Sequence, residues 1–187
     1  MEDEIQMFLE EAKQLMEKAV VHTNQELLKI RVGKAMPSML DGIKADYYGV
    51  ETPISQMASI TTLDARTLAV KPFEKKFIAE IEKAIRDSDL GVNPQNDGEI
   101  IRVVIPPMTE ERRKQLVKQV KQEVENGKIS IRNIRKDTNE SLRKLQKEGA
   151  SEDAIKVAEE KVQKLTDSFI AKADELLAKK EAELMTI

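Results

Sequence analysis

Apolar residues recur every three or four positions in three long stretches of the chain, a spacing that places them on one face of an α-helix. The first stretch runs from Ile5 to Ile30, and the third runs from Ile155 to Leu184. The second is the most regular, because steps of four and three residues alternate without a break, as in a coiled-coil seam. Its members are Val117, Val120, Val124, Gly127, Ile131, Ile134, Thr138, Ser141 and Leu145. The pattern predicts three long helices packed as a bundle.

Helix-breaking and helix-capping residues bound the second and third stretches. Pro106 and Pro107 cannot lie inside a helix, so the second helix begins after them. Gly149 is placed to end that helix, since glycine accepts the left-handed backbone common after a helix. Ser151, followed by two acidic residues, is typical of a helix start and predicts where the third helix begins.

The part of the chain between residues 32 and 106 has shorter patterns, separated by most of the glycines and prolines. Residues 43–48 alternate between apolar and polar positions, and residues 67–70 are typical of a second strand. A helix is predicted from Pro72. The nearly continuous apolar run at residues 100–105 predicts a strand buried on both faces.

These elements predict an α+β fold in two domains. Residues 1–31 and 107–187 form an elongated three-helix bundle, and residues 32–106 form a small β/α/β domain inserted between its first two helices. Because the chain crosses between the domains only twice, near residues 31–34 and 105–108, we expect hinges there. The predicted hinge residues are Arg31, Gly33, Lys34, Pro106 and Pro107.

The composition excludes several kinds of site. The 187 residues include no cysteine and no tryptophan, and His22 is the single histidine. Disulfides are therefore excluded, and zinc and haem sites are nearly so. No apolar run approaches the roughly 20 residues that span a bilayer, and the acidic start lacks the basic character of a targeting peptide. We predict a soluble protein of a reducing cytoplasm, without a metal or a membrane partner.

The sequence offers no arrangement of residues for catalysis or for a cofactor. Neither of the glycine-rich phosphate-binding motifs occurs. His22 has no nucleophile pattern around it and is interpreted as a packing or surface residue. Tyr47 and Tyr48 are of a type that stacks on RNA bases, but adjacent strand residues face opposite ways, so we expect at least one in the core. We predict that the protein is not an enzyme.

Charge is distributed unevenly along the chain, although the net charge is only −3. Residues 107–146 hold 11 Lys and Arg against 6 Asp and Glu, whereas residues 1–30 hold 3 against 7. Six cations of the second helix form a row one position from the apolar seam, interrupted by Glu125. They are Lys114, Lys118, Lys121, Lys128, Arg132 and Arg135, and Lys136 and Arg143 lie near the row. We take six residues of this region as candidate binding residues and call them the basic stripe: Lys118, Lys121, Lys128, Arg132, Arg135 and Lys136.

The residues alone leave two interpretations of the basic stripe open. A lysine-rich row often only solvates a bundle helix and pairs with acidic helices beside it. Arg132 and Arg135 favour a site for nucleic-acid phosphate, because their planar guanidinium groups suit that ligand. The alternative function is a helical adaptor whose long seam binds partner proteins, with an incidental basic stripe.

Several longer motifs carry a family resemblance. They are Arg31-Val-Gly-Lys-Ala-Met-Pro-Ser-Met-Leu-Asp-Gly-Ile43, Asp46-Tyr-Tyr-Gly49, Thr52-Pro53, Ser88-Asp-Leu-Gly-Val-Asn-Pro94, Pro106-Pro-Met-Thr-Glu-Glu-Arg-Arg113, Arg132-Asn133 and Lys164-Leu-Thr-Asp167. Together they resemble bacterial ribosome recycling factors, in order and over essentially the whole chain. The resemblance implies a near-L-shaped molecule of tRNA-like dimensions, with a three-helix bundle and a β/α/β domain.

The resemblance also implies a function and partners. Such factors bind the post-termination ribosome and, with elongation factor G hydrolysing GTP, separate its subunits. Their bundle lies on large-subunit ribosomal RNA through the central helix, and by matching motif Arg132 and Arg135 take that role here. Lys136 and Lys34 stand where arginine is common in the family. A lysine keeps the positive charge but lacks the planar guanidinium group that binds phosphate through two hydrogen bonds. We expect a monomer with no cofactor.

Overall fold

The structure, a computed structural model, describes residues 1–30 and 33–185 of the chain. The chain divides into two compact units, one formed by Met1–Arg31 with Glu111–Thr186 and the other by Val32–Glu110. The helices are α1 (Glu2–Leu28), α2 (Ile54–Met57), α3 (Ile78–Arg86), α4 (Glu110–Lys147) and α5 (Glu152–Met185). The strands are β1 (Lys44–Tyr47), β2 (Val50–Pro53), β3 (Ala58–Thr62), β4 (Thr67–Pro72), β5 (Gln95–Asn96) and β6 (Ile101–Val104).

The first unit is built from α1, α4 and α5, whose apolar faces meet in a shared core. Near the start of α1 the core contains Ile5, Leu9, Leu142, Leu145, Ile155, Ala158 and Val162. Farther along the helices, Met16, Ile131 and Phe169 form a second cluster. The predicted α+β class, with long helices and a small β domain, is confirmed. Within the described part of the chain, no helix has the length and apolarity needed to cross a bilayer.

The predicted seam of α4 is right at most positions and one residue off at two of them. The predicted residues Val120, Val124, Gly127, Ile131, Thr138 and Leu145 are buried. Leu116 and Leu142 are buried in place of the predicted Val117 and Ser141, which are half-buried beside them, and the predicted Ile134 is also half-buried. The helix therefore buries a face wider than a single line of residues, so neighbouring positions can both contact the core.

The second unit is a mixed α and β structure. Strands β1 and β2 form an antiparallel hairpin, and an antiparallel sheet has the order β3-β4-β6-β5. The sheet contributes Leu68, Val70, Ile101 and Val103 to a core that also contains Ile81 and Ile85 of α3. Sequence reasoning located β1, β4 and β6 but missed the β2, β3 and β5 pairing partners, which are short and mostly polar.

Two details of the predicted insert are wrong. Strand β6 is buried on one face only, because Ile101 and Val103 point into the core while Arg102 and Val104 are exposed. An antiparallel sheet with one solvated face gives this alternation. The predicted helix start at Pro72 is also wrong: Pro72 ends β4, and α3 begins at Ile78 after a short 3₁₀ turn.

Candidate nucleic-acid interface

The basic stripe lies along α4, beside the buried face of that helix. Consecutive helical residues are separated by about 100°, so a residue one position after a core residue flanks the core. Ile131 is fully buried, whereas the next side chain, Arg132, is 46% exposed. Local helix geometry therefore places the stripe at the boundary between the bundle core and solvent.

One edge of the stripe meets acidic side chains of α5. The Lys121 ammonium lies 4.0 Å from a carboxylate oxygen of Glu181, and Lys128 pairs with Asp174. The Lys128 side chain is only 17% exposed. The interpretation in which the stripe pairs with a neighbouring acidic helix therefore describes these two lysines.

Arg132 has a different kind of partner. Its Nη1 donates a hydrogen bond to Oε1 of Glu125, 3.0 Å away and seven residues earlier on the same helix. Both side chains are about half exposed, so water and dissolved ions reach the pair. The Arg132 guanidinium is thus accessible to a ligand, although Glu125 already accepts one of its hydrogen bonds.

The remaining stripe cations are Lys118, Arg135 and Lys136. None of them makes an ion pair with any residue that the structure describes. Lys118 and Lys136 are exposed, and Arg135 is partly buried because it lies close to the core face. The stripe therefore contains paired and unpaired cations, a division that sequence spacing did not reveal because it depends on acids of α5. Their RNA-binding role stays a prediction.

Close packing of α1 fixes the position of α4 near the middle of the stripe. Thr23 of α1 is buried against Gly127, and a methyl group at Gly127 would overlap the Thr23 hydroxyl and lie 3.3 Å from its Cβ and Cγ2. Thr23 Oγ1 donates a hydrogen bond to the Ala19 carbonyl at 2.9 Å. The glycine in the seam therefore permits close helix approach. His22 lies at the surface beside this contact.

The expectation for Tyr47 and Tyr48 is wrong. The two rings lie 4.7 Å apart, and each is about 5 Å from the ring of Phe77. They share one side because Tyr48 has left the strand and occupies the hairpin turn, with φ of 51°. Neither ring is in the core, since Tyr47 is 36% and Tyr48 62% exposed. Tyr48 Oη donates a hydrogen bond to Oε1 of Glu74 at 3.2 Å, and the nearby Glu74 carboxylate raises the pKa of Tyr47.

Gly33, Lys34, Pro106 and Pro107, which are predicted hinge residues, lie near the two ends of the second unit, Val32–Glu110. Gly33 has φ of 77°, a left-handed conformation that favours glycine. Lys34, Pro106 and Pro107 are exposed. Arg31 lies outside the described residues.

Comparison with known proteins identifies the family. The model of the family "Ribosome recycling factor" matches residues 23–185. The chain belongs to this family. It is 62% identical to the ribosome-recycling factor of Amoebophilus asiaticus, over 99% of this chain and 100% of that protein. It is 54% identical to the ribosome-recycling factor of Cytophaga hutchinsonii, over 99% of this chain and 100% of that protein. The family predicted from the sequence motifs is thus confirmed.

Solved structures of this family share the fold. A solution structure of the ribosome recycling factor is 36% identical, with a TM-score of 0.68 over 98% of both chains. A second match is the T. thermophilus ribosome recycling factor in a structure with the E. coli elongation factor G, bound to the E. coli post-termination complex. It is 46% identical, with a TM-score of 0.59 over 96% of this chain and 98% of that one.

Proposed function

We propose that this protein recycles ribosomes after translation termination. It binds the post-termination ribosome and, with elongation factor G hydrolysing GTP, promotes separation of the subunits. Membership of the ribosome recycling factor family over nearly the whole chain is the observation that carries this proposal. The relative placed with elongation factor G on a post-termination complex supports the same partners.

In this proposal, α4 binds ribosomal RNA of the large subunit through the basic stripe. Lys118, Arg135 and Lys136 have no carboxylate partner among the described residues, so their charges are available to RNA phosphates. Arg132 is exposed and brings a guanidinium fork that suits phosphate. Lys121 and Lys128 add to the local positive potential, but their ammonium groups are directed to α5.

The second unit has a separate task in this proposal. The bundle anchors the factor, while the second unit receives the force that elongation factor G generates. Two short connections join the units: Gly33 permits unusual backbone angles in one, and the Pro106-Pro107 pair stiffens the other, so we expect the joint to bend about a restricted axis. The factor itself makes and breaks no covalent bond, and it works in the cytoplasm together with ribosomes.

A subunit-splitting assay tests this function. Light scattering follows the dissociation of post-termination ribosomes after the protein, elongation factor G and GTP are added. We expect dissociation only when all three are present. No dissociation with any ribosome preparation would contradict the proposed function.

A deletion variant tests the division of tasks. Residues 32–106 are replaced by a short Gly/Ser linker, and circular dichroism first establishes that the variant is helical. We expect this bundle to bind ribosomes, to fail to split them, and to inhibit the intact factor when present in excess. Full splitting activity of the bundle alone would show that the second unit does not transmit the force.

A further inference from the structure

Glu125 places a carboxylate inside the basic stripe. Its Oε1 accepts the hydrogen bond from Arg132 Nη1 at 3.0 Å, and the two side chains are 50% and 46% exposed. The neighbouring Lys121 and Lys128, four residues before and three residues after Glu125, pair with Glu181 and Asp174 of α5 instead. The ion pair that Glu125 makes is therefore with the more exposed of the two arginines in the stripe.

This ion pair does not connect two parts of the fold. The pairs of Lys121, Lys128 and Arg143 join α4 to α5, whereas Glu125 and Arg132 belong to the same exposed side of one helix. Exposed ion pairs are worth only about 0–1 kcal/mol, so the contact has little importance for stability. Its main effect is electrostatic, since it neutralises a guanidinium on the candidate RNA-binding surface.

Carboxylate and phosphate oxygens bind a guanidinium in the same way, through parallel charge-assisted hydrogen bonds. A phosphate that binds Arg132 must therefore displace Glu125 or share the arginine with a nearby negative charge. We propose that Glu125 is an internal competitor of RNA phosphate, which occupies Arg132 in the free protein and lowers the affinity of the stripe for RNA. This inference rests on the proposed function, and it predicts a factor that leaves its site more easily than its cations alone would allow.

The test is the variant Glu125→Gln in the full-length protein. Glutamine retains the helix propensity and the size of the side chain and removes the charge. Binding is measured by cosedimentation with purified large ribosomal subunits over a series of salt concentrations. We expect roughly three- to tenfold tighter binding at low salt, with a gain that shrinks as salt screens the charges.

Asp137→Asn is the matched control. Asp137 is an exposed acid on α4 whose position on the helix lies away from the stripe, so its substitution makes the same change in net charge. It should change the affinity much less than Glu125→Gln does. Equal gains from the two variants would show that net charge alone matters and would overturn the proposal.

A second background tests whether Glu125 acts through Arg132. With Arg132→Ala already present, Glu125→Gln should gain no more than the Asp137→Asn control. Unchanged or weaker binding of Glu125→Gln, with normal binding by the parent, would overturn the competition and leave the proposed function intact. A parent protein that does not sediment with large subunits at any salt concentration would overturn both.

Discussion

The buried face and the basic edge of α4 differ in what their side chains do, although they alternate along the sequence. Ile131 is fully buried in a cluster with Met16 and Phe169, whereas the next residue, Arg132, faces solvent. Gly127 packs against α1, and the next residue, Lys128, pairs with α5. At Ile131 and Arg132, one residue step of about 100° around the helix thus separates a residue that supports the fold from one available for binding.

The largest expected effect is on the buried face. Ile131→Ala should lower the free energy of unfolding by about 2–5 kcal/mol, because it removes buried methyl and methylene groups and leaves a cavity. Urea unfolding followed by circular dichroism measures the loss. The ribosome affinity of the folded fraction should stay close to that of the parent. A loss of ribosome affinity without a loss of stability would contradict the assignment of stability to the buried face and of binding to the basic edge.

The opposite result is expected at the basic edge. Arg132→Ala with Arg135→Ala should weaken ribosome binding by about ten- to a hundredfold, or about 1.5–3 kcal/mol, because charge-assisted contacts are lost. Thermal stability should hardly change, since Arg135 has no ion-pair partner among the described residues and Arg132 has an exposed one. Lys144→Ala with Lys147→Ala removes the same charge outside the stripe. Parent-like binding by the folded arginine variant would refute this prediction.

The contact between Thr23 of α1 and Gly127 of α4 tests how tightly the buried face of α4 is packed. Gly127→Ala should destabilise the protein by about 1–3 kcal/mol, because the new methyl group overlaps the Thr23 side chain. Adding Thr23→Ala should recover part of that loss, and Thr23→Ala alone serves as the control in a double-mutant cycle. A higher melting temperature for Gly127→Ala would show that the close contact is not limiting.

The smallest expected effect distinguishes paired from unpaired lysines. Lys136→Gln should weaken ribosome binding several-fold at low salt and leave stability unchanged, since its charge is free among the described residues. Lys128→Gln should affect binding less and should cost up to about 1 kcal/mol of stability, because its pair with Asp174 joins two helices. Cosedimentation and thermal unfolding measure the two quantities. Equal losses of affinity would mean that the α5 carboxylates leave Lys128 available to RNA.

The sequence predicted the long helices well because their apolar spacing persists over many turns. It chose Val117 and Ser141 where Leu116 and Leu142 are the buried residues, because the core face is wider than one line of residues and both neighbours lie near it. Family motifs pointed to Arg132 and Arg135 directly. The pairing of Lys128 with Asp174 could not be predicted, because it depends on how α5 lies beside α4, 46 residues away in sequence.

The second unit was predicted less completely for a physical reason. Short strands are specified mainly by their partners, so polar segments such as β5, Gln95–Asn96, carry little pattern of their own. The hairpin turn at Tyr48-Gly49 was a further difficulty. A tyrosine with φ of 51° is uncommon, and its departure from strand geometry is what brings its ring beside Tyr47.

The packing of α1 has a consequence for the synthesis of the protein. Ile5 and Leu9 share a core cluster with Ile155 and Ala158, so residues about 150 positions apart must meet. At about 5–20 residues per second, α1 waits for roughly 8–30 seconds before α5 has been made. The second unit is continuous in sequence and can fold during that time. We therefore expect α1, whose acidic surface favours solubility, to emerge from the ribosome first and to complete its packing only after α5 has been made.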